Sequence, residues 1–293
     1  MILILGGTAA YFLPLEAVLG PLRPVDMATP YGAAFPIFLL GRYGERVAFA
    51  SRHGLGRLEV SPPFVNARAN IWAAHALGVR RVISWNGVGA INPLLEVHDL
   101  LVLDGVLDFT RTRVRSYNLY GGPSVAAPTT DHGADARFSI LDSRSSAPDL
   151  EHSEGIPDPR SPIPDPCFDT ALSSLVYTAA ARWAPQQTTD DGQQATSRVF
   201  SRGIYACAEG PRLETAAEIR GFRRAGADVV GMTLVPEVFL ARELGIAFAA
   251  LAYVTNYATG VEPAHGAPRF FGVEVGRRCL DIALAAAESA LDA

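Results

Sequence analysis

The stretch VVGMTLVPEVFLARELGIAFAALAYVTN, residues 229–256, decides the fold. It opens on a short apolar run, Val229-Val230, that leads into Gly231-Met232-Thr233. Pro236 to Leu244 then has the makeup of a short helix, since Pro suits a first helical turn and Gly245 a stop. Ile246 to Val254 is apolar throughout and runs into Thr255-Asn256. An uninterrupted apolar run of this length reads as a strand covered on both faces. The unit is therefore strand, helix, strand, with polar residues at each strand's carboxyl end.

Working outward, the same pattern recurs. Met1 to Leu5 runs into Gly6-Gly7-Thr8, and Val79 to Ser84 into Trp85-Asn86-Gly87. Asn66 to Leu77 has helical spacing and stops at Gly78. Thr215-Ala-Ala-Glu218 has the form of a capping box, with Gly226 as the helix stop. Phe271 to Leu291 is Ala-rich and amphipathic, which predicts a C-terminal helix. Strands alternating with helices imply a single α/β domain around a mixed, largely parallel central sheet flanked by helices. Ligands in such sheets bind beyond the carboxyl ends of the strands, where these polar clusters lie.

Two stretches break the pattern. Gly121 to Pro166 is rich in Pro, Ser, Asp and Gly and reads as an inserted loop, partly disordered. Pro185 to Ser197 reads as a surface loop.

Composition narrows the function classes. The 293 residues are 49% hydrophobic, with a formal charge of −5 and no dense run of Lys or Arg, which argues against nucleic acid as a partner. Cys167, Cys207 and Cys279 form no CxxC pair, which argues against a disulfide framework or a structural zinc site. The apolar N-terminus is broken by glycines after five residues and has no basic region ahead of it. It fits neither a signal peptide nor a membrane span, so the expectation is a cytoplasmic protein.

Several residues at the strand ends carry donors suited to an anion. Gly6-Gly7-Thr8 offers backbone N–H groups and a hydroxyl, although no Lys-Ser/Thr follows to make a nucleotide P-loop; read alone it is a tight turn. Arg52-His53 follows the apolar Val47 to Ala50; Arg presents a planar fork of donors, and read alone it is a surface Arg beside a partly buried His. Thr233 precedes a helix start, where free N–H groups and the positive dipole end collect, or where it is simply a cap. Glu214 lies just before a helix and Asn256 ends a strand. Alone these are a helix-favouring carboxylate and a turn former, but together a carboxylate and a carboxamide can read a 6-oxopurine edge.

In their order and spacing these stretches resemble the trimeric purine nucleoside phosphorylase family, which includes the methylthioadenosine and methylthioinosine phosphorylases. The resemblance rests on Gly6-Gly7-Thr8, Thr29-Pro-Tyr-Gly32, Arg52-His53-Gly54, Val65 to Asn70, Asn86 to Pro93, Glu209 to Thr215, Gly226 to Glu237 and Thr255-Asn256. It covers most of the chain outside the insertion.

The resemblance implies phosphorolysis of purine nucleosides by inorganic phosphate in a homotrimer without metal or organic cofactor. It implies phosphate contacts from Thr8, Arg52, His53 and Thr233, and a loop at Asn86 and Gly87 that touches phosphate and ribose. Met232 falls under the sugar, and Glu214 and Asn256 read the base. Adenine-specific members resemble Thr-Asp-x-Asp where this chain has Thr255-Asn256-Tyr257-Ala258, which places Ala258 in the base pocket and points to hypoxanthine or guanine. Asn256, Glu214 and His53 are the residues implied in catalysis.

Two departures stand out. Ala9-Ala10 follows the N-terminal loop where the family has Gly, and Phe270-Phe271-Gly272-Val273 stands near a position where members binding a free 5′-hydroxyl have His. The first implies strain if that backbone is left-handed. The second implies an apolar pocket suited to a 5′-methylthio sugar. The alternatives are a hydrolytic nucleosidase, a methylthioadenosine phosphorylase and a purine-binding homologue impaired in catalysis.

Overall fold

The computed structural model describes residues 1–7, 9–117, 167–183, 197–262 and 273–292. Thr8, nearly all of both polar stretches and the Phe270–Gly272 neighbourhood lie outside the described residues.

Thirteen strands and six α-helices alternate along the described chain. The strands are β1 (Ile2–Gly6), β2 (Leu22–Val25), β3 (Ala28–Thr29), β4 (Gly32–Ala33), β5 (Ile37–Leu40), β6 (Val47–Ser51), β7 (Arg81–Ala90), β8 (Leu100–Val102), β9 (Gly105–Asp108), β10 (Val199–Phe200), β11 (Ile204–Cys207), β12 (Val229–Gly231) and β13 (Ala247–Tyr257). The helices are α1 (Leu15–Leu19), α2 (Ala67–Ala76), α3 (Thr170–Trp183), α4 (Ala216–Arg224), α5 (Glu237–Glu243) and α6 (Val273–Asp292).

Eleven strands form one sheet in the order β10-β8-β13-β7-β1-β6-β5-β2, with β9, β11 and β12 attached as a wing. The centre is parallel: β1 pairs with β6 and β7, and β7 with β13. The outer pairs β2/β5, β5/β6 and β8/β13 are antiparallel. β1 alternates across the sheet, with Leu3 and Leu5 in one apolar cluster and Ile2 and Ile4 in the other, which is why its sequence is apolar at every position. Helices α2 and α5 cover the first face, and α3 and α6 the second.

The expected helices form with small shifts. Asn66 caps α2 by accepting from the N–H of Ala69, and Gly78 follows with φ +92°. Thr215 and Glu218 make a complete capping box on α4. α5 runs Glu237–Glu243 with Gly245 at φ +68°, and the described part of the C-terminal helix begins at Val273. Asn86-Gly87 and Asn256 are corrections to the expectation of a loop and a turn. Both lie inside long strands, because β7 and β13 continue past the main sheet and β7 pairs antiparallel with β12 of the wing. Among the described residues no helix is long and apolar enough to cross a membrane.

Candidate active site

Where β7, β12 and β13 run together into the wing, they enclose a cavity of about 490 Å³. Its walls include His53, Gly87, Glu214, Met232, Thr233, Asn256 and Ala258, so seven residues expected from five separate stretches meet in one place. The volume lies in the range that takes a small-molecule ligand. Arg52 and Asn86 lie behind the wall.

At one end stands Glu214. Its residue is 7% exposed, and its Oε1 is buried without a hydrogen-bond partner among the described residues. Burial raises its pKa, a hydrogen bond from its own backbone N–H opposes the rise, Glu218 adds to it and Arg212 opposes it. A buried carboxylate oxygen without a donor is costly, so a ligand N–H at this position gains a charge-assisted bond.

Asn256 is aimed by an irregularity in the β7–β13 register between Val254 and Asn256, the kind of bulge that re-aims a side chain. Its Oδ1 lies 2.8 Å from the Thr255 hydroxyl and its Nδ2 donates to the Tyr257 carbonyl at 2.8 Å. An amide nitrogen has two N–H donors, so one is left for the cavity. Gly89 makes the room: a Cβ there would lie 3.3 Å from both Asn256 Nδ2 and Ala258 Cα.

Met232 forms part of the floor. It packs on Gly210, whose φ is +68°, and a Cβ at that glycine would sit 2.5 Å from the Met232 sulfur. Gly231 similarly leaves room for the Tyr205 hydroxyl, which accepts the Thr233 N–H at 3.2 Å.

The residues expected to bind an anion depart most from expectation. The Arg52 side chain is 0% exposed. Its Nε and Nη2 donate to the two oxygens of Glu237 at 2.9 and 2.7 Å, Nη2 also to Ser84 Oγ at 3.0 Å, and Nη1 to the Trp85 carbonyl at 3.0 Å. Four of its five N–H donors are thus engaged inside the protein. Arg52, expected as a phosphate contact or a surface Arg, is instead the hub of a buried network.

Asn86, fully buried, links that hub to the cavity. It lies 3.3 Å from Ser84 Oγ and 2.9 Å from the Thr233 hydroxyl. Asn86 is corrected likewise: its side chain holds Thr233. The start of α5, expected to receive the anion, is occupied by the helix's own Glu237, which grips Arg52. Glu237, Ser84, Tyr205, Gly89 and Gly210 are the site-building residues that sequence reasoning passed over. Of these, only Tyr205 lies outside the stretches that carry the sequence pattern.

His53 does face the cavity, held by Nδ1 at 2.9 Å from the Val60 carbonyl. Burial, then the neighbouring Arg52, push its pKa down to about 4 against the opposing Val60 bond. Ala9 adopts φ 68°, so the strain expected after the N-terminal glycines is present.

The phosphorylase superfamily model matches residues 2–288. The chain is 36% identical over 261 residues to the 6-oxopurine nucleoside phosphorylase of Pyrococcus furiosus, covering 89% of this chain and 80% of that one. It is 35% identical over 260 residues to the S-methyl-5′-thioadenosine phosphorylase of Pyrococcus horikoshii, covering 88% and 80%. A crystal structure of methylthioadenosine phosphorylase from an antarctic soil metagenomic library superposes with a TM-score of 0.69 at 26% identity, over 99% of this chain and 86% of that one.

Proposed function

Because the chain belongs to the phosphorylase superfamily, we propose that it cleaves the N-glycosidic bond of 6-oxopurine nucleosides with inorganic phosphate, giving free base and a pentose 1-phosphate. Relatives of nearly equal identity carry 6-oxopurine and methylthioadenosine names, so overall similarity does not choose the base. The observation that carries the choice is the buried Oε1 of Glu214, without a partner among the described residues, in the same cavity as Asn256. A 6-oxopurine has a ring N–H to give Glu214, whereas adenine has a bare ring nitrogen there. A site built around one hydrogen-bond pattern rejects the other by up to ~10⁴-fold.

In this reading the base lies between Glu214 and Asn256. The free N–H of Asn256 meets N7, where negative charge grows as the bond breaks. Met232 supports the sugar. Phosphate lies toward His53, Gly87 and Thr233, with Thr8 as a further contact, and its charge stabilises the cation developing at C1′. Positioning and preorganised dipoles supply the catalysis, with no protein nucleophile, metal or organic cofactor. Arg52, Ser84 and Asn86 act behind the wall by fixing Thr233. The working form is a cytoplasmic homotrimer, and the sugar carries a 5′-hydroxyl or a 5′-methylthio group.

The test is base release from inosine, guanosine, 5′-methylthioinosine, adenosine and 5′-methylthioadenosine, with and without phosphate. Phosphate-dependent release of hypoxanthine or guanine is expected, and the methylthioinosine-to-inosine ratio reads the 5′ pocket. Faster release of adenine would move the assignment to a methylthioadenosine phosphorylase. Release without phosphate would make it a nucleosidase, and purine binding without release an impaired homologue.

A further inference from the structure

We infer that Arg113 is a positioning residue: from behind the cavity, its guanidinium sets the spacing between the segment that leads to the base-reading Glu214 and the segment that carries Met232 and Thr233. The inference rests on the phosphorylase reading and goes past it, to the group that keeps the two halves of the nucleoside in register.

β11 and β12 are parallel neighbours whose last paired residues are Cys207 and Gly231. The Ala208 N–H then donates to the Gly231 carbonyl at 2.8 Å. Past this point the first chain runs on to Glu214 and the second to Met232 and Thr233, and strand pairing no longer fixes one against the other. β9 pairs with β11 on its other side, and the segment that follows β9 brings Arg113 to the strand ends. Glu209 draws that segment in: its carboxylate accepts from the N–H groups of Arg111 and Thr112 and from the Thr112 hydroxyl.

The guanidinium divides its donors between the two segments. Nη1 donates to the carbonyls of Met232 and Val235, both at 2.6 Å. Nη2 donates to the carbonyls of Glu209 at 2.6 Å and Ala208 at 3.4 Å, and Nε to Glu209 Oε1 at 3.4 Å. All five N–H groups of the fork are thereby used. The side chain is 5% exposed, and Arg113 is not among the described residues that line the cavity, so it acts through the backbone it holds. The two segments also touch directly, where Met232 packs on Gly210. A Lys ammonium carries three donors on one atom and cannot serve four carbonyls on both sides, so the planar fork is what the spacing depends on.

The test compares the wild type with Arg113→Lys and Arg113→Met, each checked for a cooperative unfolding transition. Phosphate-dependent base release from inosine gives kcat, and calorimetry gives the affinities for hypoxanthine and for ribose 1-phosphate separately. In either folded variant kcat is expected to fall ~100-fold, the scale of an ångström of misplacement, while each half-substrate binds within ~3-fold of its wild-type affinity. That split marks a change of spacing between two intact half-sites. A merely structural role would weaken both half-sites along with turnover. Wild-type turnover in Arg113→Lys, half-substrate affinities lost in step with kcat, or failure of both variants to fold would overturn the inference. Any of these beside an active wild type sinks this inference alone. A wild type that releases no base with phosphate sinks the phosphorylase reading and this inference with it.

Discussion

Glu214 and Arg52 are both buried and ionisable, but their surroundings give them opposite tasks. Glu214 is left with an oxygen to fill, and Arg52 has almost nothing left to offer. Glu214→Gln keeps the shape but exchanges one acceptor for a donor. The ratio of kcat/KM for inosine over adenosine is expected to fall by at least ~100-fold, read by base release from the two nucleosides. Arg52→Met strands Glu237 as an unpaired buried charge, and denaturant unfolding is expected to show a loss of about 3–5 kcal/mol. The double variant Arg52→Met/Glu237→Leu is expected to regain most of that loss. A double variant no more stable than the single one would mean that the pair itself stabilises the fold.

At the scale of elements, the site depends on strands that outrun the main sheet. β13 swings Asn256 into the cavity at its register shift, and β7 opposes it with Gly89, which has no side chain to obstruct. Gly89→Ala would put a methyl group against Asn256 and the backbone of Ala258. Activity on inosine is expected to drop at least ~10-fold while the chain still folds, with unfolding free energy lowered by the about 1–3 kcal/mol of local overpacking. An unchanged kcat/KM would show that Asn256 is not placed by this contact.

Much of this level was legible in the sequence. The capping box of Thr215 and Glu218 and the stops at Gly78 and Gly245 are local signals, and they appear where expected. The strand course of Asn86 was not legible, because an Asn reads as a turn former until its amide is seen to be satisfied by Ser84 and Thr233. Arg52 shows the same limit more strongly. An Arg after a strand signals an anion site only if no carboxylate closes on it, and Glu237 lies 185 positions away.

For the whole molecule, the buried His53 sets a term in acid stability. Its folded pKa of about 4 lies below the ordinary histidine value of 6.5, so the unfolded chain takes up this proton first as pH falls. The contribution is whole above about pH 6.5 and is lost progressively as pH falls toward 4, roughly 3 kcal/mol in all. His53→Gln is expected to flatten the stability-against-pH curve in that window, measured from denaturation midpoints. A curve of unchanged slope would place the acid sensitivity elsewhere.

The ion pair of Arg52 and Glu237 joins the early part of the chain to the late part at a point sealed from water. That has a consequence for inheritance. A lineage that loses one partner by a single codon change is left with a stranded charge until a second change follows, so the two positions should vary together or stay fixed together. Recombination obeys the same rule: a chimera joined between them keeps a sound interior only when both parents carry compatible partners.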